Sequence, residues 1–209
     1  MSGISASAVK ELRDISGAGM MDCKNALSEA SGNLNDAMDI LRKSGITKAQ
    51  KKSGRSTKEG MIYSYIHPGS KLGVLIEINC ETDFVAKTED FQNLSKDIAM
   101  HIAASAPMSI SREEIPSDTL DREKEIYTDQ AKQSGKPENI IEKMTEGRLN
   151  KFYQENVLLE QTFVKDPDKT VADLITETIA ILGENILISR FSRFQLGEKI
   201  NHNSVPADN

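Results

Sequence analysis

The sequence predicts an α+β protein: an N-terminal domain of three short helices, then an antiparallel sheet covered by helices, with a helical hairpin projecting from it. Three observations carry this expectation. Apolar residues recur at helical spacing through the first 45 positions and are punctuated by glycines. Positions 72–80 alternate, with Leu72, Val74, Ile76, Ile78 and Cys80 on one face and Gly73, Leu75, Glu77 and Asn79 on the other. Further on, Gly135 and Pro137 separate two helical stretches that carry few large apolar residues.

In the first helix Ala8, Val9, Leu12 and Ile15 recur at helical spacing, Ser5 or Ser7 is placed to cap it, and Gly17-Ala18-Gly19 breaks it. The second helix carries Cys23, Ala26, Leu27 and Ala30 on one face and stops at Gly32. Asn33 caps the third, whose Leu34, Ala37, Ile40 and Leu41 point inward until Gly45. Three such helices enclose a thin core that is marginal alone, so the value of this unit lies in docking. Residues 46–60 hold Lys48, Lys51, Lys52, Arg55 and Lys58 among small residues and read as a solvated basic linker, able to continue the third helix at its start.

A hairpin follows: a strand over 61–66, a turn at His67-Pro68-Gly69-Ser70 and the alternating strand 72–80. The alternation implies a sheet covered mainly on one side. Phe91, Leu94, Ile98 and Ile102 mark the covering helix. Residues 118–134 and 137–152 form the helical hairpin; Thr170 caps a last helix bearing Val171, Leu174, Ile175, Ile179 and Leu182, which Gly183 ends. A final strand runs over 186–194. The chain thus divides into a helical domain with its basic linker (1–54), an α+β core (55–196) and a polar tail (197–209) expected to fray.

Charge and composition exclude several classes. The net charge of -6 splits unevenly: residues 1–58 carry 10 Lys/Arg against 6 Asp/Glu, and the remainder 16 against 26. A nucleic-acid binder is usually basic overall, and this chain has only one basic neck. No apolar run approaches the roughly 20 residues that span a bilayer, and Met1-Ser2-Gly3-Ile4 does not read as a signal segment. A cytoplasmic protein is expected. Its two cysteines, Cys23 and Cys80, are far apart and read as buried, reduced thiols. There is no G-x-x-x-x-G-K-[ST] loop, H-E-x-x-H, zinc-spaced Cys/His set or G-x-S-x-G elbow. His67, His101 and His202 have no nucleophile near them in sequence, and His101, on a helix, reads as structural. No catalytic residue, metal or cofactor is expected.

The informative stretch is Asn79-Cys80-Glu81-Thr82-Asp83-Phe84-Val85-Ala86-Lys87, where a core strand runs out into a short loop. By pattern alone Phe84 closes the core. Yet Glu81-Thr82-Asp83-Phe84-Val85-Ala86 resembles the signature of bacterial translation elongation factor Ts, as does 17–27 (GAGMMDCKNAL), where Asn25 stands for the usual Lys. Arg42-Lys43-Ser44-Gly45, 98–105 (IAMHIAAS) and Gln133-Ser134-Gly135-Lys136-Pro137 match the family too, in order and over nearly the whole chain.

The resemblance implies a guanine-nucleotide exchange factor for elongation factor Tu, without covalent chemistry of its own. It implies that the N-terminal helices are similar to a ubiquitin-associated (UBA) domain. It assigns Thr82, Asp83, Phe84 and Val85 to dislodging the partner's magnesium, with Asp83 and Phe84 entering between two helices of the GTPase. It assigns Lys10, Arg13, Met20, Met21 and Lys24 to the N-terminal docking surface, and His67 to a partner-facing hairpin turn, although Pro68 replaces a more usual Gly. Longer members have two related core units and this chain one, so a homodimer through about 60–196 is expected. Neither nucleic acid nor membrane is an expected partner. Three rival readings remain: an adaptor that binds through its UBA-like domain without exchange, an RNA binder using Lys48 to Lys58, and an enzyme with a site assembled in space.

Overall fold

A computed structural model, which describes residues 4–198, makes the alternating stretch the central strand of a three-stranded antiparallel sheet. Strand β1 (Glu59–Ile66) and β3 (Ile186–Gln195) flank β2 (Leu72–Cys80). Val74, Ile76, Ile78 and Cys80 are buried on one face, as the period-2 pattern requires. That face is covered by helix α5 (Glu89–Ser105) and helix α8 (Val171–Leu182), which supply Phe91, Leu94, Ile98, Ile102, Ile175 and Ile179 to one core. A register shift opposite Glu77/Ile78 inserts Ser189 into β3, so Ile186 and Ile188 point inward at one end and Phe191 and Arg193 at the other. The opposite face has no covering layer among the described residues, and Ile62, Leu75 and Phe194 stand exposed on it.

The N-terminal helices are α1 (Ala6–Ser16), α2 (Met20–Glu29) and α3 (Leu34–Gln50). Ser5 caps α1 by accepting the Ala8 N–H, and Asn33 caps α3 by accepting from Asn35 and Asp36. Val9, Leu12, Cys23, Ala26, Leu27 and Ala37 form their small core. Two expectations are corrected. Gly45 does not end α3, which runs on to Gln50. This glycine is buried where α3 meets α8, and a Cβ on it would lie 3.3 Å from that of Ala180; it serves close helix approach rather than termination. Ile15 is 63% exposed rather than in the bundle core. It turns toward α8 and lines a cleft of about 320 Å³ with Met38, Ile46 and Ile181.

The basic stretch from the last turn of α3 onward is held down at several points. Lys48 pairs with Asp22 at 2.7 Å, Lys52 donates to the Gly183 carbonyl, and Asn185 Nδ2 donates to the carbonyls of Ser53 (3.3 Å) and Arg55 (3.0 Å). These bonds pin the stretch at single points, while Lys51, Ser53, Gly54, Arg55, Ser56 and Lys58 stay exposed. A short helix, α4 (Asp83–Ala86), lies between β2 and α5. Helices α6 (Ser117–Lys132) and α7 (Glu138–Asn156) pack on each other and bury Ala131, while Ile115, Phe152 and Val157 form a separate small cluster. Thr170 and Asp173 form a reciprocal capping box at the start of α8, and Gly183 ends it in the left-handed region at φ 80. Only Gly197 and Glu198 of the polar tail fall within the described residues; His202 lies outside them.

His101 is fully buried on α5. Its Nδ1 accepts the backbone N–H of Val164 (3.3 Å), so Nε2 carries the proton and donates it to Gln161 Oε1 (2.9 Å). Burial holds this imidazole below its usual range, against a smaller opposing effect of the Gln161 bond. The unfolded chain therefore takes up a proton near pH 6.5 that the folded chain refuses until lower pH. Stability from this group is full above about pH 6.5, falls as pH drops below that value, and levels off once the folded pKa is passed. The urea midpoint should decrease between about pH 7.5 and 5, and the decrease should shrink in His101→Gln; an equal slope in both proteins would contradict this assignment.

Candidate functional site

The β2–β3 ladder ends at the Cys80–Ile186 pair, and two carboxylates continue it. The backbone N–H groups of Glu81 (3.1 Å) and Thr82 (2.9 Å) donate to Glu184 Oε2, and the Thr82 hydroxyl donates to Glu184 Oε1 (2.7 Å). In return, the Asn185 N–H donates to Glu81 Oε1 (2.7 Å). Arg55 Nη1 stands 3.5 Å from the other Glu81 oxygen. Buried or half-buried donors are thereby satisfied where the sheet can no longer serve them.

This clasp feeds directly into α4. Thr82 is its N-cap, accepting the Val85 N–H at 3.4 Å. At the far end the Thr88 hydroxyl donates to the Val85 carbonyl (2.7 Å) and caps α5 by accepting the Phe91 N–H (3.3 Å). Val85 and Ala86 pack onto the main core. Phe84 points the other way and is 78% exposed, the most exposed large apolar side chain among the described residues. The core-closing role that pattern alone gives Phe84 is thus corrected: Val85 and Ala86 close the core, and the turn of α4 throws the ring outward.

Asp83, beside it, accepts a hydrogen bond from Lys87 at 2.6 Å one helical turn on. That bond and the Lys87 charge hold the Asp83 carboxyl below the usual carboxylate range, and the same bond raises Lys87. The site therefore presents an ionised carboxylate and a bare aromatic ring side by side. Cys80, just behind, donates its thiol to the Thr82 carbonyl (3.1 Å); burial first, and the Glu184 charge second, push its pKa up, which keeps it a neutral structural thiol.

The remaining sequence-derived residues lie elsewhere. Lys10 and Arg13 are exposed three residues apart on α1; Met20, Met21 and Lys24 are exposed on one side of α2, the methionines at 57% and 65%. Their bundle rests on α8: a Cβ at Gly17 would lie 3.0 Å from Ile181 Cδ1, and Lys52 reaches the Gly183 carbonyl. The same α8 terminus carries Glu184, so the bundle and the Thr82–Val85 loop share one support. His67 lies at the other end of β2, nine residues away along the strand, a separation of about 30 Å at the usual strand rise. Its ring Nδ1 is 3.0 Å from Tyr65 Oη, in a turn with Pro68 second and Gly69 third at φ 92. The turn residue and the Asp83–Phe84 pair are not brought together.

Sequence reasoning missed Glu184 and Asn185. They follow the helix-ending Gly183 and carry no local signal, because their partners lie more than 100 positions away. Among the described residues no group of three His, Cys, Asp or Glu is placed to hold a metal ion, and no helix is long and apolar enough to cross a membrane.

Residues 4–198 match the family model described as elongation factor TS. Curated relatives agree. Elongation factor Ts of Geobacter sulfurreducens is 59% identical over 195 residues, covering 93% of this chain and 90% of that protein. That of Fervidobacterium nodosum is 59% identical over 195 residues, covering 93% and 99%. That of Caldanaerobacter subterraneus subsp. tengcongensis is 58% identical over 197 residues, covering 94% and 98%.

Proposed function

This chain belongs to the elongation factor Ts family of translation elongation factors, and from that premise we propose that it is the guanine-nucleotide exchange factor for elongation factor Tu, acting in the cytoplasm without covalent chemistry. The observation that carries this reading is the Phe84 ring, 78% exposed on a loop whose backbone is tied at both ends. An apolar ring fixed outward on a tied backbone is preorganised for burial in another surface.

Magnesium bridges the nucleotide phosphates to a GTPase and neutralises their charge. A shift in the elements that hold the ion weakens ion and nucleotide together. Burial of Phe84 between two helices of the partner supplies about 1.5–3 kcal/mol. It acts on the equilibrium only in so far as the displaced partner fits the ring better than the resting one does. Asp83 brings a negative charge to the neighbourhood of the phosphates; Thr82 and Val85 anchor the turn. The UBA-like bundle, through Lys10, Arg13, Met20, Met21 and Lys24, grips the nucleotide domain at a second point and gives leverage. His67, at the other end of the hairpin, is a separate contact. By linkage, nucleotide weakens the factor's binding by the ratio in which the factor weakens nucleotide binding, so GTP expels it.

Release of a fluorescent GDP analogue from elongation factor Tu tests this reading. The protein should accelerate release, and Phe84→Ala should slow the accelerated rate by about tenfold or more, the loss expected from 1.5–3 kcal/mol, with its thermal unfolding unchanged. Binding without faster release would favour an adaptor instead.

We infer also that two copies associate through the sheet. Its uncovered face exposes Ile62, Ile66, Leu75, Leu187 and Phe194, and a second copy is the occupant that matches a single core unit. Light scattering at micromolar concentration should give the mass of a dimer, and Leu75→Lys should return a monomer; a wild-type monomer at that concentration would remove the claim.

A further inference from the structure

We propose that Glu184 is the positioning residue of the exchange site: its carboxylate, anchored at the end of α8, aims Phe84 and Asp83 by fixing the backbone and hydroxyl of Thr82. The proposal rests on the exchange reading above and deepens it.

Helix α4 is four residues long. One turn of helix fixes several dihedrals for very few hydrogen bonds, so it does not hold its own orientation. Its direction is set at the ends. At the C-terminal end Thr88 does this locally. At the N-terminal end the cap is Thr82, and a threonine hydroxyl can donate or accept. Glu184 removes that freedom. An ionised carboxylate only accepts, so the hydroxyl proton is committed to Glu184 Oε1 and a lone pair is left for the Val85 N–H. The other oxygen takes the N–H groups of Glu81 and Thr82 together, which fixes the peptide plane from which α4 departs.

The position of Glu184 is itself determined by structure common to both halves of the molecule. It follows Gly183, whose carbonyl accepts from Lys52, and precedes Asn185, which is bonded to Glu81, Ser53 and Arg55. The carboxylate that aims the ring therefore stands between the bundle's terminal anchor and the loop. Glu184 touches neither nucleotide nor the partner's ion in this role; it acts through Thr82 and Phe84.

The test measures GDP release from elongation factor Tu across concentrations of the exchange factor. Glu184→Ala should lower the saturating release rate by about tenfold, the scale of losing charge-assisted hydrogen bonds. The half-saturating concentration should stay within about threefold, because the N-terminal contacts remain. Glu184→Gln keeps one oxygen for the two backbone N–H groups but turns an amide N–H donor toward the Thr82 hydroxyl, reversing that bond, and should recover only part of the loss, with a rate above that of Glu184→Ala and below wild type. In a Phe84→Ala background, Glu184→Ala should cause a smaller fold-loss than in the wild type, since of the pair it aims only Asp83 remains. Should Glu184→Ala fail to fold, Glu184→Asp carries the test: it keeps the charge, retracts the carboxylate by one methylene, and should fold yet release GDP several-fold more slowly. A wild-type saturating rate in Glu184→Ala, or in Glu184→Asp where that is the variant read, overturns the positioning role, as does an equal fold-loss with and without Phe84. A wild-type protein that fails to accelerate release overturns the exchange reading instead.

Discussion

A β-ladder can satisfy backbone groups only while both strands last. Here it stops at Cys80 and Ile186, and the chain on each side still has N–H groups to pair. Glu81 and Glu184 reach across the gap and take each other's neighbours: Glu184 the N–H groups of 81 and 82, Glu81 that of Asn185. Side-chain carboxylates thus prolong the sheet by two residues without a strand. Everything that distinguishes the site follows from this exchange, because it delivers Thr82 as a fixed cap and so determines where α4 starts and where Phe84 points.

An exposed ring on a rigid mount differs in kind from one on a mobile loop. A mobile loop orders when it binds, and each immobilised side chain then costs about 0.5–1.5 kcal/mol. The clasp and the Thr88 cap meet that ordering cost during folding, leaving the burial energy of Phe84 available to act on a partner. The N-terminal bundle draws on the same support. Gly45 lets α3 approach Ala180 of α8, Gly17 sits against Ile181, and Lys52 reaches the carbonyl of Gly183. Two surfaces far apart in sequence are consequently registered against one helix, which is what leverage between two contact points requires.

Much of this was legible in the sequence, for reasons that differ by element. Ser5, Asn33 and Thr170 sit directly before apolar runs of helical period and cap the helices that follow. The alternation of 72–80 identified both the strand and its buried face. Gly45 was misleading because a glycine reads alike whether it ends a helix or admits a neighbouring one. Ile15 was misleading because a three-helix bundle has room for few apolar groups, and this one is left lining the cleft toward α8. The outward aim of Phe84 was beyond periodicity altogether: the period-2 signal ends at Cys80 and four helical residues have no period to read. Family resemblance supplied the outward assignment, and the clasp behind it involves pairs more than 100 positions apart, to which local patterns are blind.

The claim that the ring is mounted in advance of any partner is most directly tested by amide hydrogen exchange of the free protein, resolved at Glu81, Thr82 and Asn185. The account predicts that these three amides, although outside the ladder, are protected to a degree comparable with ladder amides of β2 such as Ile78. Exchange at the rate of an unstructured peptide would contradict it, for then nothing would hold Phe84 in place until a partner arrived.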